Sequence, residues 1–119
     1  MNKIDTFTVN IYIGLKDIDT NEIFDIGLVK DICQGYCDEV GLCVTVTSTE
    51  YIYTGGSEPG AIVGLINYPR FPDIIENIKI KALELADRLI KICGQYRVSL
   101  VFTDETVMLE NIDKVQSSK

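Results

Sequence analysis

Hydrophobic and polar residues alternate cleanly over positions 6–16. Phe7, Val9, Ile11, Ile13 and Leu15 share one side, and Thr8, Asn10 and Tyr12 share the other. This period of two predicts a strand with one buried face. Residues 17–21 (DIDTN) read as a loop, with Asp19, Thr20 and Asn21 as N-cap candidates for a helix. From Glu22 to Val40 the apolar positions Leu28, Val29, Ile32, Cys33, Tyr36, Cys37 and Val40 change to helical spacing, and Gly41 stands where a helix should stop. Alternation resumes over 42–54. Leu42, Val44, Val46 and Ile52 lie on the inner side, and Thr45, Thr47, Thr49, Tyr51 and Tyr53 on the outer.

A GGSEPG loop then leads into a third predicted strand over 61–68, read as the hairpin partner of the second. Pro72 and Asp73 open a second helix that runs to about Cys93, with Ile75, Ile78, Ala82, Leu85, Ala86, Leu89 and Cys93 on its core side. Gly94 stops it. A fourth strand is expected over 96–103 and a short fifth from Val107 to Glu110. The order is β-α-β-β-α-β plus a short extra C-terminal strand. It predicts an α+β, ferredoxin-like domain: an antiparallel sheet with both helices on one face. Residues 1–111 make the single domain, and 112–119 are expected to be a flexible tail. The open face would carry Asn10, Tyr12, Thr45, Thr47, Tyr51, Tyr53, Arg97 and Ser99, and pairing of copies across it would bury the tyrosines.

Composition narrows the function. The chain has 119 residues, 46% hydrophobic and 24% charged, enough to bury one core. No apolar run reaches the roughly 18 residues of a membrane span. The N-terminus lacks the three regions of a secretory signal, so a cytoplasmic location is expected. The net charge is −7, and no Lys or Arg occurs between Asp31 and Pro69. A long nucleic acid or an anionic membrane needs a basic stripe, and none is present. A small anion needs only one or two arginines and backbone N–H groups.

There is no histidine, which removes Ser-His-Asp and Cys-His catalysis. Cys33, Cys37, Cys43 and Cys93 lack the paired spacing of a zinc site. They read as small buried apolar residues in a reduced protein, with a metal or disulfide role as the alternative. No catalytic residue, metal ligand or cofactor is assigned, and the chain is expected not to be an enzyme.

The stretch from Tyr53 to Pro72 concentrates the special residues. It holds all three prolines and four of the nine glycines, together with Tyr53, Tyr68 and Phe71. Gly55 and Gly56 could offer backbone N–H groups to an anion, or serve only the geometry of a hairpin. Asn67, Tyr68, Arg70 and Phe71 combine an amide, a guanidinium and two flat rings, a set that suits a nucleobase or phosphate-bearing ring. The alternative packs both aromatics under the second helix and leaves Arg70 solvated. Arg97 on the outer side of the fourth strand is either a ligand contact or a salt-bridge partner. The expected ligand site therefore comprises Asn67, Tyr68, Arg70, Phe71, Arg97, Tyr53, Gly55 and Gly56.

The run IYIGLKDIDTNE, through Ile13, Gly14, Leu15, Asp17 and Thr20, resembles the small phage Thoeris anti-defence proteins. The order of elements matches over nearly the full chain. The resemblance implies a homodimer or higher homo-oligomer in the host bacterial cytoplasm. It would bind a cyclic nucleotide signal of the cyclic ADP-ribose type without cleaving it. The residues also admit a structural or regulatory interaction module, or a small ferredoxin-like enzyme.

Overall fold

The computed structural model describes residues 1–117; the end of the expected tail, residues 118–119, lies outside them. The elements are β1 (Thr8–Gly14), α1 (Ile26–Val40), β2 (Thr45–Tyr53), β3 (Gly56–Ile66), α2 (Ile75–Ile92), β4 (Arg97–Phe102), β5 (Thr106–Glu110) and α3 (Ile112–Ser117). One five-stranded antiparallel sheet has the order β2-β3-β1-β4-β5. This is the α+β, ferredoxin-like arrangement with an added edge strand.

The alternation read from the sequence decides the faces. Val9, Ile11 and Ile13 pair with Leu65, Val63 and Ala61 on β3, and all six are buried. Val98, Leu100 and Phe102 continue this inner face on the other side of β1. Against it pack Val29, Cys33 and Tyr36 of α1, with Ile78, Ala82, Leu85, Ala86, Leu89 and Ile90 of α2. Burying each large side chain of this set contributes roughly 1.5–3 kcal/mol.

Tyr36 ties the two helices together. Its hydroxyl donates to Glu84 Oε2 at 2.7 Å, and the Arg88 guanidinium lies 4.7 Å from its ring centroid. Arg88 in turn donates two bonds to the Glu39 carboxylate, at 2.7 and 3.0 Å. Burial pushes the Tyr36 phenol well above its ordinary value, so it remains a donor. Tyr36→Phe is expected to cost about 1 kcal/mol, the ordinary worth of such a bond. Urea denaturation would read this as a lower midpoint with an unchanged slope.

Four boundaries differ from the sequence reading. GGSEPG is not a loop, because Gly56 to Gly60 lie in β3 and only Thr54 and Gly55 turn. Gly55 has φ 85°, the left-handed region that closes so tight a hairpin. α1 begins at Ile26 with Asp25 as N-cap, not at Glu22. Residues 22–24 instead fold back on the end of β1: Phe24 N donates to Leu15 O and Asp17 N to Glu22 O, both at 2.8 Å. α2 starts at Ile75, after Asp73 Oδ1 accepts bonds from Ile74 N and Asn77 Nδ2. Finally, residues 112–117 of the expected tail form α3, nucleated where Val115 N donates to Asn111 O at 2.9 Å.

β2 and β3 outrun β1. Gly14 pairs with Gly60, while Glu50 to Tyr53 pair with Pro59 to Gly56 beyond that point. The hairpin therefore projects as an arm, with Ile52 and Tyr53 exposed near its tip.

Candidate functional site

A cleft of about 550 Å³ opens where β1 ends and β4 begins. Its lining comes from three stretches: Lys16, Ile18 and Asp19 after β1, Glu58 on β3, and Gly94 to Arg97 entering β4. A volume of this size is in the range of small-molecule sites.

Its floor is built on the open face of the sheet. Glu58 faces the same side as its cross-strand partner Tyr51. The Tyr51 ring lies across Gly60, and its hydroxyl lies 3.2 Å from Ile13 O and 3.3 Å from Ala61 O. Burial raises the Tyr51 phenol to about 12, with Tyr12 and Glu58 adding to the effect. Beside it, a side chain on Gly14 would meet Gln95, and its Cβ would come 3.2 Å from Glu58 Oε1. Gln95 Nε2 donates to Lys16 O at 2.8 Å and Cys93 O at 3.0 Å, joining two of the three lining stretches. Glu58 makes no hydrogen bond or ion pair among the described residues, so its carboxylate is available to the cleft.

One wall is a charged network. Lys114 Nζ donates to Asp17 Oδ1 and Asp19 Oδ2, each at 3.0 Å. The Tyr96 hydroxyl donates to Asp19 Oδ1 at 2.8 Å, and Lys114 Nζ lies 5.1 Å from the Tyr96 ring centroid. Asp17 Oδ1 also accepts from Asp19 N at 2.9 Å, and Asn21 N donates to Asp17 O at 2.8 Å. The bond from Lys114 holds both carboxylates below their ordinary value of 3.8; Tyr96 adds to the effect on Asp19. Gly94, at φ 61°, packs directly on the Asp17 carboxylate, where any side chain would collide.

The residues expected to bind ligand fall in three places. Arg97 lines the cleft, half-exposed, with a long 3.7 Å ion pair to Glu110. Tyr53, Gly55 and Gly56 sit at the tip of the projecting hairpin, outside the cleft lining. Asn67, Tyr68, Arg70 and Phe71 lie at the opposite end of β1. Asn67 Oδ1 accepts from Asp73 N at 3.0 Å and its Nδ2 reaches Asp5 O at 3.4 Å, which fastens the β3–α2 connection. Tyr68 and Phe71 stack at 5.1 Å, and Tyr68 accepts from Cys43 Sγ at 3.5 Å. The enclosed space beside Tyr68 and Phe71 is about 40 Å³, which suits a water rather than a nucleotide. Arg70 is exposed and has no partner among the described residues.

All four cysteines are free, and among the described residues no group of three His, Cys, Asp or Glu could hold a metal ion. Burial pushes the Cys33 thiol to about 12 and the Cys93 thiol to about 11. Among the described residues no helix is long and apolar enough to cross a membrane.

Lys16, Glu58, Gln95, Tyr96 and Lys114 were not singled out from sequence as site residues. Glu58 reads from sequence as a solvated turn carboxylate in GGSEPG, and only the pairing of β3 with β2 brings it to the cleft. The others become neighbours only through the β1–β4 pairing.

No family model and no curated protein matches the sequence. Solved structures do match in fold. A phage SAM lyase in complex with S-methyl-5′-thioadenosine superposes with a TM-score of 0.75 at 16% identity, covering 92% of this chain and 95% of that one. A phage SAM lyase in the apo state gives 0.75 at 17% identity, covering 92% and 94%. At these identities the likeness shows the fold. The resemblance to the Thoeris sponges is not shown by these structures. The expectation that the chain is not an enzyme is corrected by them, because the fold it shares over nearly its whole length is that of a lyase. Histidine and the familiar catalytic motifs are absent from the chain, and a lyase need not have either.

Proposed function

We propose that the protein is a lyase acting on S-adenosylmethionine (SAM), a sulfonium carrying an amino acid, and that it releases S-methyl-5′-thioadenosine. The observation that carries this reading is the mixed charge of the cleft. Lys16 and Arg97 offer cations for a carboxylate, Glu58 offers an unpaired anion for an α-ammonium, and Tyr96 and Ile18 offer flat and apolar surface for the nucleoside. A cyclic nucleotide carrying two phosphates would call for cations without acids beside them. The net charge of −7 also favours the approach of a cationic substrate. The fold shared with a lyase that holds methylthioadenosine supports the same reading.

The chemistry asks little of the protein. A carboxylate oxygen of the substrate forms a bond to its own Cγ while the Cγ–S bond breaks. The electron pair returns to sulfur, giving a neutral thioether and a five-membered lactone. No proton, water or oxidant enters the balance, so no histidine is required. The chain's residues bind and orient: Lys16 and Arg97 aim the carboxylate at Cγ, and Glu58 holds the ammonium. Nucleophile and leaving group already share one molecule, so the protein's part is to hold it in the attacking conformation. The setting expected from sequence, a phage protein acting on a small host molecule, is kept in coarser form: depletion by cleavage in place of sequestration.

Incubating the protein with SAM and following methylthioadenosine by mass spectrometry tests the reading. Product should accumulate with turnover. Intact SAM, together with no calorimetric binding of methylthioadenosine, would overturn it.

A further inference from the structure

We propose that Lys114, on the C-terminal helix and outside the cleft lining, is the positioning residue that sets the acidic wall of the cleft. The proposal rests on the lyase reading for what the cleft binds, and on geometry for what Lys114 does. Residues 15–24 form an excursion anchored at its base by the Lys16–Ile23 bridge. Its tip carries Ile18 and Asp19 into the cleft. Within it backbone bonds and the Asp17 and Thr20 side chains give shape, and Asn21 adopts φ 62°.

Gln95 and Tyr96 tie the excursion to the start of β4, and Lys114 adds the restraint that joins Asp17 to Asp19 from α3. Its ammonium bridges Asp17 and Asp19 at 3.0 Å each, from a helix about 95 residues away in sequence, and is itself 22% exposed. Asn111 fixes that helix: its N–H donates to Tyr96 O at 2.8 Å, and its Oδ1 accepts from Lys114 N at 3.4 Å. The cation therefore reaches Asp19 and Tyr96 from behind while making no cleft contact of its own. It also settles which acid is free. Lys114 and the Tyr96 hydroxyl together occupy both oxygens of Asp19, leaving Glu58 as the unpartnered carboxylate that meets the substrate ammonium. Without Lys114 the cleft would present two competing anions, one of them on a loosened loop.

The test uses the full chain. Lys114→Met should speed amide exchange at Asp19 and Asn21 about tenfold, while exchange in β1 and β4 and the melting temperature stay close to wild type. It should raise the Kd for methylthioadenosine and the KM for SAM about tenfold, with kcat changed less than about threefold. Lys114→Arg, which can bridge the same carboxylates, should restore both. Lys114→Met added to Asp17→Asn and Asp19→Asn should have little further effect, because its partners are gone. Unchanged exchange at Asp19 and Asn21 in Lys114→Met would overturn the proposal, as would equal losses in Lys114→Arg and Lys114→Met. If the wild type neither binds methylthioadenosine nor cleaves SAM, the lyase reading falls, and the exchange measurements still decide the role of Lys114.

Discussion

Glu58→Gln is expected to lower kcat/KM for SAM cleavage by about 10²-fold or more, with the fold intact. The side chain sits on the open face of β3, where its removal leaves no cavity in the core. The size of the loss comes from where charge changes in the reaction. The sulfonium loses its charge in the transition state, so an anion beside sulfur would stabilise the ground state more and slow the reaction. The α-ammonium keeps its charge throughout. An anion there holds the amino acid in the attacking geometry without opposing the charge loss at sulfur. Misplacing a reacting group by about 1 Å can cost about 10²-fold. Single-turnover kinetics should show the defect mostly in the chemical step, and circular dichroism should show an unchanged melt. A Glu58→Gln protein with wild-type kinetics would remove Glu58 from the site.

The largest effect on stability is expected at Gly60. Gly60→Ala places a methyl group into the Tyr51 ring and 2.8 Å from the Ile13 carbonyl oxygen. The ring could swing away only by giving up its hydroxyl contacts to Ile13 and Ala61. The carbonyl belongs to β1, the strand on which the whole sheet is organised, and cannot yield. Overpacking of this kind costs about 3 kcal/mol. For a domain of this size that corresponds to a melting point lower by about 10 °C. Tyr51→Ala in the same chain should recover only part of the loss, since the carbonyl contact remains. A Gly60→Ala protein melting within about 2 °C of wild type would contradict this packing.

The sheet and both long helices were legible because each is written locally. Five alternating positions from Phe7 to Leu15 can only be a half-buried strand, and the apolar spacing from Ile75 to Leu89 can only be a helix face. Three features were not written that way. GGSEPG has the composition of a loop, yet Gly60 is there so that Tyr51 can cross the strand, a reason visible only once β2 and β3 are paired. α3 looks like a polar tail because its role is a single lysine reaching back to Asp17 and Asp19. The cleft was missed for the same cause. Lys16, Glu58 and Gln95 come from three separate segments, and no spacing in the sequence places them together. The NYPRFP cluster attracted attention through its residue types, while Asn67 spends its hydrogen bonds fastening the chain. The lack of histidine weighed against catalysis only for reactions that move a proton.

β1 lies in the middle of the sheet, and one of its two neighbours, β4, begins at Arg97. This has a consequence for the protein as it leaves the ribosome. β1 waits long for its second neighbour, since β4 is translated only after β2, β3 and both long helices. At about 5–20 residues per second the wait lasts several seconds. A nascent chain holding only β1 to β3 exposes one long edge of β1, with its apolar face only half covered. Completion of the sheet should therefore wait for β4 and be close to all-or-none. A product that lacks β4 and α3 can hold no working cleft, because Arg97 arrives with β4 and Lys114, which holds Asp19, with α3.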